Sequence, residues 1–293
     1  MNFQTYLDAK RTVDDRALNR RILHQFSAEL PESARILEIG AGIGTMVERL
    51  HSWERLPRRT RYTALDIDPE NIAAARKRLL ANGFESHGDG LRIDDGERRL
   101  TVSFEVADAI GFAARTDERW DALVGHAVLD LFDLESALPS LLSALEPGGI
   151  CYFPITFDGG TTFDPPHPLD SRVERLYHEH MGDSHGSSDA GRRLLAALRA
   201  RETDVRDRGE SGTTTRVLAA GGSDWVVFPQ NGSYPGNEAR FLRYILETIG
   251  SVLDECDPDR GAFAEWRRTR RRQIERGDLV YVAHQLDVLG KRE

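Results

Sequence analysis

An α/β fold on a mostly parallel sheet is predicted by three features of the 293-residue sequence. Short apolar runs alternate with amphipathic stretches across residues 34–157, the pattern of strand–helix units joined by right-handed crossovers. A glycine-rich turn, Gly40-Ala41-Gly42-Ile43-Gly44, directly follows the first run and opens a helix. Acidic residues, Asp66 and Asp108, stand at the ends of the next two long runs, where an open α/β sheet meets its ligands.

Taken in order, residues 15–30 carry Ala17, Leu18, Ile22, Leu23 and Phe26 at helical spacing, and Pro31 closes the segment. The first strand is predicted at 34–40, and Met46, Val47 and Leu50 continue as a helix. The second strand, 61–65, ends at Asp66, and a helix follows over 69–82, with Pro69 in the first turn where a missing N–H costs nothing. Residues 83–100 form a glycine- and acid-rich hairpin excursion with an Asp94-Asp95-Gly96 turn, leading into a third strand at 102–106. A fourth strand at 120–125, a helix at 134–145, a Pro147-Gly148-Gly149 turn and a fifth strand at 150–157 complete the regular part. Beyond it, 158–168 reads as a Gly, Pro and Thr-rich loop. Helices are predicted at 169–181, 189–201, 237–253 and 260–276, a sixth strand at 223–228 and a seventh at 279–289. The chain is read as one domain: an N-terminal helical cap (1–33), a ligand-binding core (34–157) and insertions at 158–222 and 229–278.

Composition narrows the function. A net charge of -9 argues against a nucleic-acid binder, whose affinity comes from Lys and Arg neutralising phosphates. No apolar run approaches the roughly 20 residues of a membrane span, and the N-terminus lacks a signal-peptide core. Cys151 and Cys256 lie far apart, with no paired-cysteine motif for zinc or redox chemistry. A cytoplasmic protein acting on a small molecule is expected, and no motif decides between a monomer and a homodimer.

The glycine turn lets the backbone approach a ligand closely, while the following helix offers unpaired N–H groups and partial positive charge. A nucleotide-like cofactor is expected there. In a nicotinamide-dependent oxidoreductase the same turn would face a pyrophosphate, which a carboxylate at Glu38 would repel; a cationic ligand fits Glu38 better. With Leu65 to Asp68 (LDID), Val106 to Ala109 (VADA), Trp120 to Asp130 (WDALVGHAVLD) and Leu145 to Gly149 (LEPGG), the run ILEIGAGIG resembles, motif by motif and in order, the class I S-adenosylmethionine-dependent methyltransferases. The resemblance covers roughly residues 34–157. It implies a Rossmann-like three-layer sandwich with a seven-stranded, mostly parallel sheet, its last strand antiparallel, and helical lid insertions on the substrate side. It further implies that Glu38, Gly40, Ala41 and Gly42 hold the amino-acid end of S-adenosylmethionine. Asp66 and Ile67 would flank ribose and adenine, Asp108 and Ala109 would hold the adenine amine, and Gly125 and His126 would border the sulfonium. The acceptor is not specified, and a cofactor-binding protein without catalysis remains an alternative.

Methyl transfer is an in-line displacement, so alignment dominates and a base is needed only where the nucleophile loses a proton. Asp130, just past the fourth strand, has two readings: a carboxylate acting on the substrate, or a first-turn residue complementing a helix dipole. His126 is either a base or a wall residue. Asp66, likewise, is a ribose ligand or a turn residue. Phe157, Tyr177, His178 and Tyr234 are candidate substrate-wall residues, or simply core. No metal is expected, because His178 and His180 are two residues apart and point about 200° apart on a helix.

Overall fold

The computed structural model describes residues 2–183, 186–208, 214–256 and 260–293. Three short helices open the chain: α1 (Phe3–Ala9), α2 (Arg11–Ala17) and α3 (Arg20–Glu29). The regular part follows as β1 (Ser33–Ile39), α4 (Thr45–Ser52), β2 (Arg59–Asp66), α5 (Pro69–Ala81), β3 (Glu85–His87), β4 (Gly90–Asp94), β5 (Arg99–Val106) and α6 (Ala109–Arg115). Then come β6 (Trp120–Val124), a single 3-10 turn at Leu129–Leu131, α7 (Leu134–Ser143) and β7 (Leu145–Asp164). The remainder is α8 (Asp170–Asp183), α9 (Ala190–Arg208), β8 (Thr215–Gly222), β9 (Trp225–Val227), α10 (Glu238–Cys256), α11 (Arg260–Arg276) and β10 (Val280–Arg292).

Among the described residues, one ten-stranded sheet has the order β3-β4-β5-β2-β1-β6-β7-β10-β8, with β9 beside β10. Strands β5, β2, β1, β6 and β7 are parallel neighbours. β10 runs antiparallel between β7 and β8, as expected of the last strand. The sheet is sandwiched by helices. On one face Ile36, Tyr62 and Ala122 pack against Ile22, Leu23 and Phe26 of α3 and Met46 and Leu50 of α4. On the other, Leu37, Leu65 and Leu123 pack against Leu138 and Leu142 of α7 and Leu194 of α9. Each fully buried Leu, Ile, Phe or Met side chain among them stabilises the fold by about 1.5–3 kcal/mol. A third apolar cluster joins α2, α8, α10 and α11 to the ends of β7 and β10, capping one edge of the sheet.

The helix starts follow from capping chemistry. Asp68, Asp108 and Asp133 each accept a backbone N–H in the first turn of α5, α6 and α7, satisfying donors that would otherwise be orphaned. The helix read at 15–30 is instead split. α2 ends at Ala17, Leu18 is extended, and Asn19 starts α3 by accepting from Ile22 N at 3.3 Å.

Two strand assignments are corrected. The sheet has ten strands rather than seven, because the excursion at 85–94 pairs as two antiparallel strands and the sixth strand divides in two. Its main part is β8, inside the segment read as an insertion; residues 223–228 supply only the three-residue β9. The Ala and Gly residues of β8 have little strand propensity, and pairing with β10 overrides it. The segment read as a loop at 158–164 continues β7, paired with β10 from Gln285↔Phe157 to Val280↔Asp164. Phe157 and Phe163 are buried under the cap there, which explains why a glycine-rich stretch remains in the sheet.

The cap is anchored by charge as well as by apolar contact. The buried Arg270 guanidinium holds Asp170 and the Pro165 carbonyl, and Trp266 Nε1 donates to Asp170 at 2.8 Å. Arg16 and Thr12 of α2 both reach Glu238 at the start of α10. Among the described residues no helix is long and apolar enough to cross a membrane.

Candidate active site

A cavity of about 360 Å³ lies beyond the carboxyl ends of β1, β2, β5 and β6. Its floor is the turn after β1. Gly40 and Gly42 have φ of 61° and 54°, a region that disfavours a Cβ. A Cβ on Gly40 would also lie 2.6 Å from Val128 Cγ2. Asp66 closes this turn onto β2: its Oδ2 accepts from Gly42 N at 2.7 Å, and its Oδ1 from Asp68 N at 2.9 Å and Asn71 Nδ2 at 3.1 Å. Asp66 is therefore a turn residue that also lines the cavity wall. Ile67, 71 % exposed, extends the wall as an apolar ledge. Asp108 and Ala109 form the far side, where Asp108 Oδ2 accepts from Gly111 N and so caps α6. The cavity thus offers the backbone of the glycine turn at one end, carboxylates along one side and an apolar shelf, a set that fits an amino-acid-bearing nucleoside.

A family described as a methyltransferase domain matches residues 11–201. The chain belongs to that methyltransferase family. Its sheet, with the antiparallel β10 inserted beside the last parallel strand, is that of the class I, S-adenosylmethionine-dependent superfamily. Among solved structures, a candidate methyltransferase from Bacillus halodurans C-125 is 13% identical, with a TM-score of 0.52 over 93% of this chain and 97% of that one, a likeness of fold. A methyltransferase from Geobacter sulfurreducens, crystallised with S-adenosyl-L-homocysteine, is 15% identical over 94% and 92% of the two chains, with a TM-score of 0.47. No curated protein matches the sequence.

Two residues expected at the cofactor lie outside this methyltransferase's cavity. Glu38 shares its sheet face with Ile36 and turns inward, where Tyr62 Oη donates to it at 2.9 Å; burial pushes its carboxyl up to about 8. Burial favours the protonated form of this core residue, which weakens the expected repulsion of a pyrophosphate by Glu38. Gly125 is a packing residue: a Cβ there would lie 2.6 Å from Leu129 Cδ2 and 3.1 Å from Phe153 Cδ1.

His126 does line the cavity and is buried. Burial, then the charges of Lys10 and Arg49, push its imidazole well below the ordinary range, so it is neutral at pH 7. Asp130, in the 3-10 turn, does not line the cavity, although Val128 and Leu131 on either side do. The surrounding protein raises its carboxyl, offset by its own backbone N–H and by Lys10, while one side stays open to solvent.

The four expected substrate-wall residues belong to the cap instead. Phe157 is core and meets the His178 ring edge-on at 5.5 Å, and His178 Nε2 lies 3.3 Å from Thr161 Oγ1. Tyr234 Oη donates to Leu279 O at 2.8 Å and accepts from Leu279 N at 3.0 Å, clamping the turn before β10. Tyr177 packs beneath the cap, where burial and then the Asp130 charge raise its hydroxyl to about 12. The outer wall comes from α1 and the residue after it: Phe3, Leu7 and Lys10 line the cavity. Gln4 Nε2 fastens α1 to the core, donating to Asn71 Oδ1 at 2.9 Å and Asp68 Oδ2 at 3.3 Å. Leu7 and Lys10 were missed because a seven-residue helix shows too little periodicity to be read. Among the described residues, no group of three His, Cys, Asp or Glu side chains is placed to hold a metal.

Proposed function

We propose that this methyltransferase holds S-adenosylmethionine in the glycine-turn cavity and transfers its methyl group to a small-molecule acceptor by in-line displacement. The observation that carries the reading is the convergence of the left-handed glycine turn, Asp66 and Asp108 on one cavity at the carboxyl ends of the parallel strands. Bound there, the cofactor supplies a methyl group made electrophilic by its sulfonium. The backbone of Gly40, Ala41 and Gly42 binds the amino-acid end. Asp66 and Ile67 position ribose and adenine, and Asp108 with Ala109 takes the adenine amine. His126 faces the acceptor, and Asp130 supports that side from behind Val128 and Leu131. A small acceptor is favoured because α1 lies across the cavity, and the net charge of -9 opposes a nucleic-acid substrate.

Calorimetry tests the cofactor. S-adenosylhomocysteine should bind with a micromolar Kd, about 8 kcal/mol, and a nicotinamide dinucleotide should give no heat; the reverse result overturns the reading. The acceptor is then found by incubating the protein with isotopically labelled methyl donor and a metabolite extract. Label recovered only in macromolecules would refute the small-molecule assignment.

A further inference from the structure

We infer that Asp14 of α2 is a positioning residue that holds His126 with its Nε2 protonated, so that the dyad takes a proton from the acceptor, which must therefore carry an ionisable proton on its nucleophilic atom, as a hydroxyl or a primary or secondary amine does. The inference rests on the reading that the cavity beside His126 holds the methyl donor.

Asp14 Oδ2 and His126 Nε2 are both buried, neither has a hydrogen-bond partner among the described residues, and they face each other at 3.5 Å. Two orphaned polar atoms buried side by side are costly apart and complementary together. A small tightening converts the contact into a hydrogen bond, as catalytic contacts do on ligand binding. Asp14 cannot easily turn away, because Trp225 Nε1 donates to its other oxygen at 2.9 Å. His126 is fixed by its neighbour: Ala127 has a φ of 51°, unusual for a residue with a Cβ, and its N–H donates to Pro154 O at 3.0 Å.

The charges around the pair give it a direction. Lys10 Nζ lies 3.5 Å from Asp14 Oδ2 and 5.4 Å from the centre of the Trp225 ring. Lys10 and Arg49 oppose a positive charge on His126, which leaves the imidazole free to accept. Asp14 offsets that opposition once a proton arrives, the role a carboxylate plays behind a histidine base. With Nε2–H directed at Asp14, Nδ1 is the acceptor. In the transfer, the acceptor's oxygen or nitrogen bonds to the methyl carbon as its proton passes to Nδ1. The electron pair of the broken carbon–sulfur bond stays on sulfur, and His126 later releases the proton to solvent. An acceptor without a proton to lose, such as a thioether or a tertiary amine, would make no use of the pair.

The test is the tautomer. The full chain, labelled with ¹⁵N-histidine, is studied by two-bond proton–nitrogen correlation at pH 7.5, and the His126 signals are assigned by their loss in His126→Gln. A predominantly Nε2-protonated His126 is expected in the wild type, and loss of that preference in Asp14→Asn. An Nδ1-protonated His126 in the wild type overturns the proposal even if Asp14→Asn does not fold. So does an unchanged Nε2–H tautomer in a folded Asp14→Asn. Calorimetry with S-adenosylhomocysteine on the same sample separates the two failures. Absent binding removes the cofactor reading, whereas normal binding with the wrong tautomer removes the dyad alone.

Discussion

Glu38 shows how one buried carboxyl can set a pH dependence. Its unfolded form loses its proton near 4.5, whereas in the folded chain burial holds the value at about 8. Between those values the folded state binds more protons than the unfolded one, so the contribution of Glu38 is fully present below 4.5 and is lost as pH rises through 8. Glu38→Gln keeps an acceptor for Tyr62 Oη and removes the titration. Thermal unfolding should find the variant gaining stability relative to the wild type between pH 5 and pH 8; a constant difference would mean that Glu38 is ionised in the fold. Asp66 makes a different prediction. Replacing it by Ala frees Gly42 N–H and the Asn71 amide and removes a carboxylate from the cavity wall, so affinity for S-adenosylhomocysteine should fall by about 1.5–3 kcal/mol. Wild-type affinity in the folded variant would assign Asp66 to the turn alone. Asp66 was legible because motif order pointed to it. Asp14 was not, because nothing in the local sequence connects it to His126, and the contact exists only once α2 lies against the end of β6.

At the scale of elements, the strands that could be read were those rich in apolar residues of their own, such as Ile36, Leu37 and Ile39 in β1 and Ala122, Leu123 and Val124 in β6. β8 and the far end of β7 are strands because β10 pairs with them, and their Gly and Ala residues record no such preference. Asp287 holds this part together. It sits at the register shift between Leu286 and Val288, buried, and accepts from Ile155 N at 2.9 Å, Asn19 N at 3.0 Å and Tyr152 Oη at 3.2 Å. Ile155 has a φ of 55°, strained for a β-branched residue, and the bond from its N–H to Asp287 fixes that kink. Asp287→Ala would orphan three donors at the junction of α3, β7 and β10, at a cost of about 3 kcal/mol or more. Urea unfolding should show a lower midpoint for Asp287→Ala, and a smaller loss for Asp287→Asn, which keeps a carbonyl acceptor. An unshifted midpoint in both would show that the kink needs no carboxylate.

For the molecule as a whole, the sequence motifs ran out at Phe157, and the outer parts of the site come from the region they did not cover. The cap has two parts with different relations to the cavity. α1 contributes Phe3 and Leu7, and Lys10 follows at its end, while α8, α10 and α11 contribute no lining residue among those described. The mouth is also where large apolar side chains are left open: Phe3 is 45% exposed, Ile67 71% and Leu131 65%. A ligand in the cavity would cover them, so the free energy of binding should be spent on ordering α1 against the core through Gln4 and Asn71. Hydrogen exchange with S-adenosylhomocysteine alone should therefore slow in α1 and in the turns at 40–45 and 66–71, and change little in α8 and α10. Those helices are already held by Arg270 on Asp170 and by Glu238 on Arg16, so cofactor binding has little left to order there. Protection of α8 and α10, with α1 unchanged, would place the cofactor beneath the C-terminal helices and remove α1 from the wall of its site.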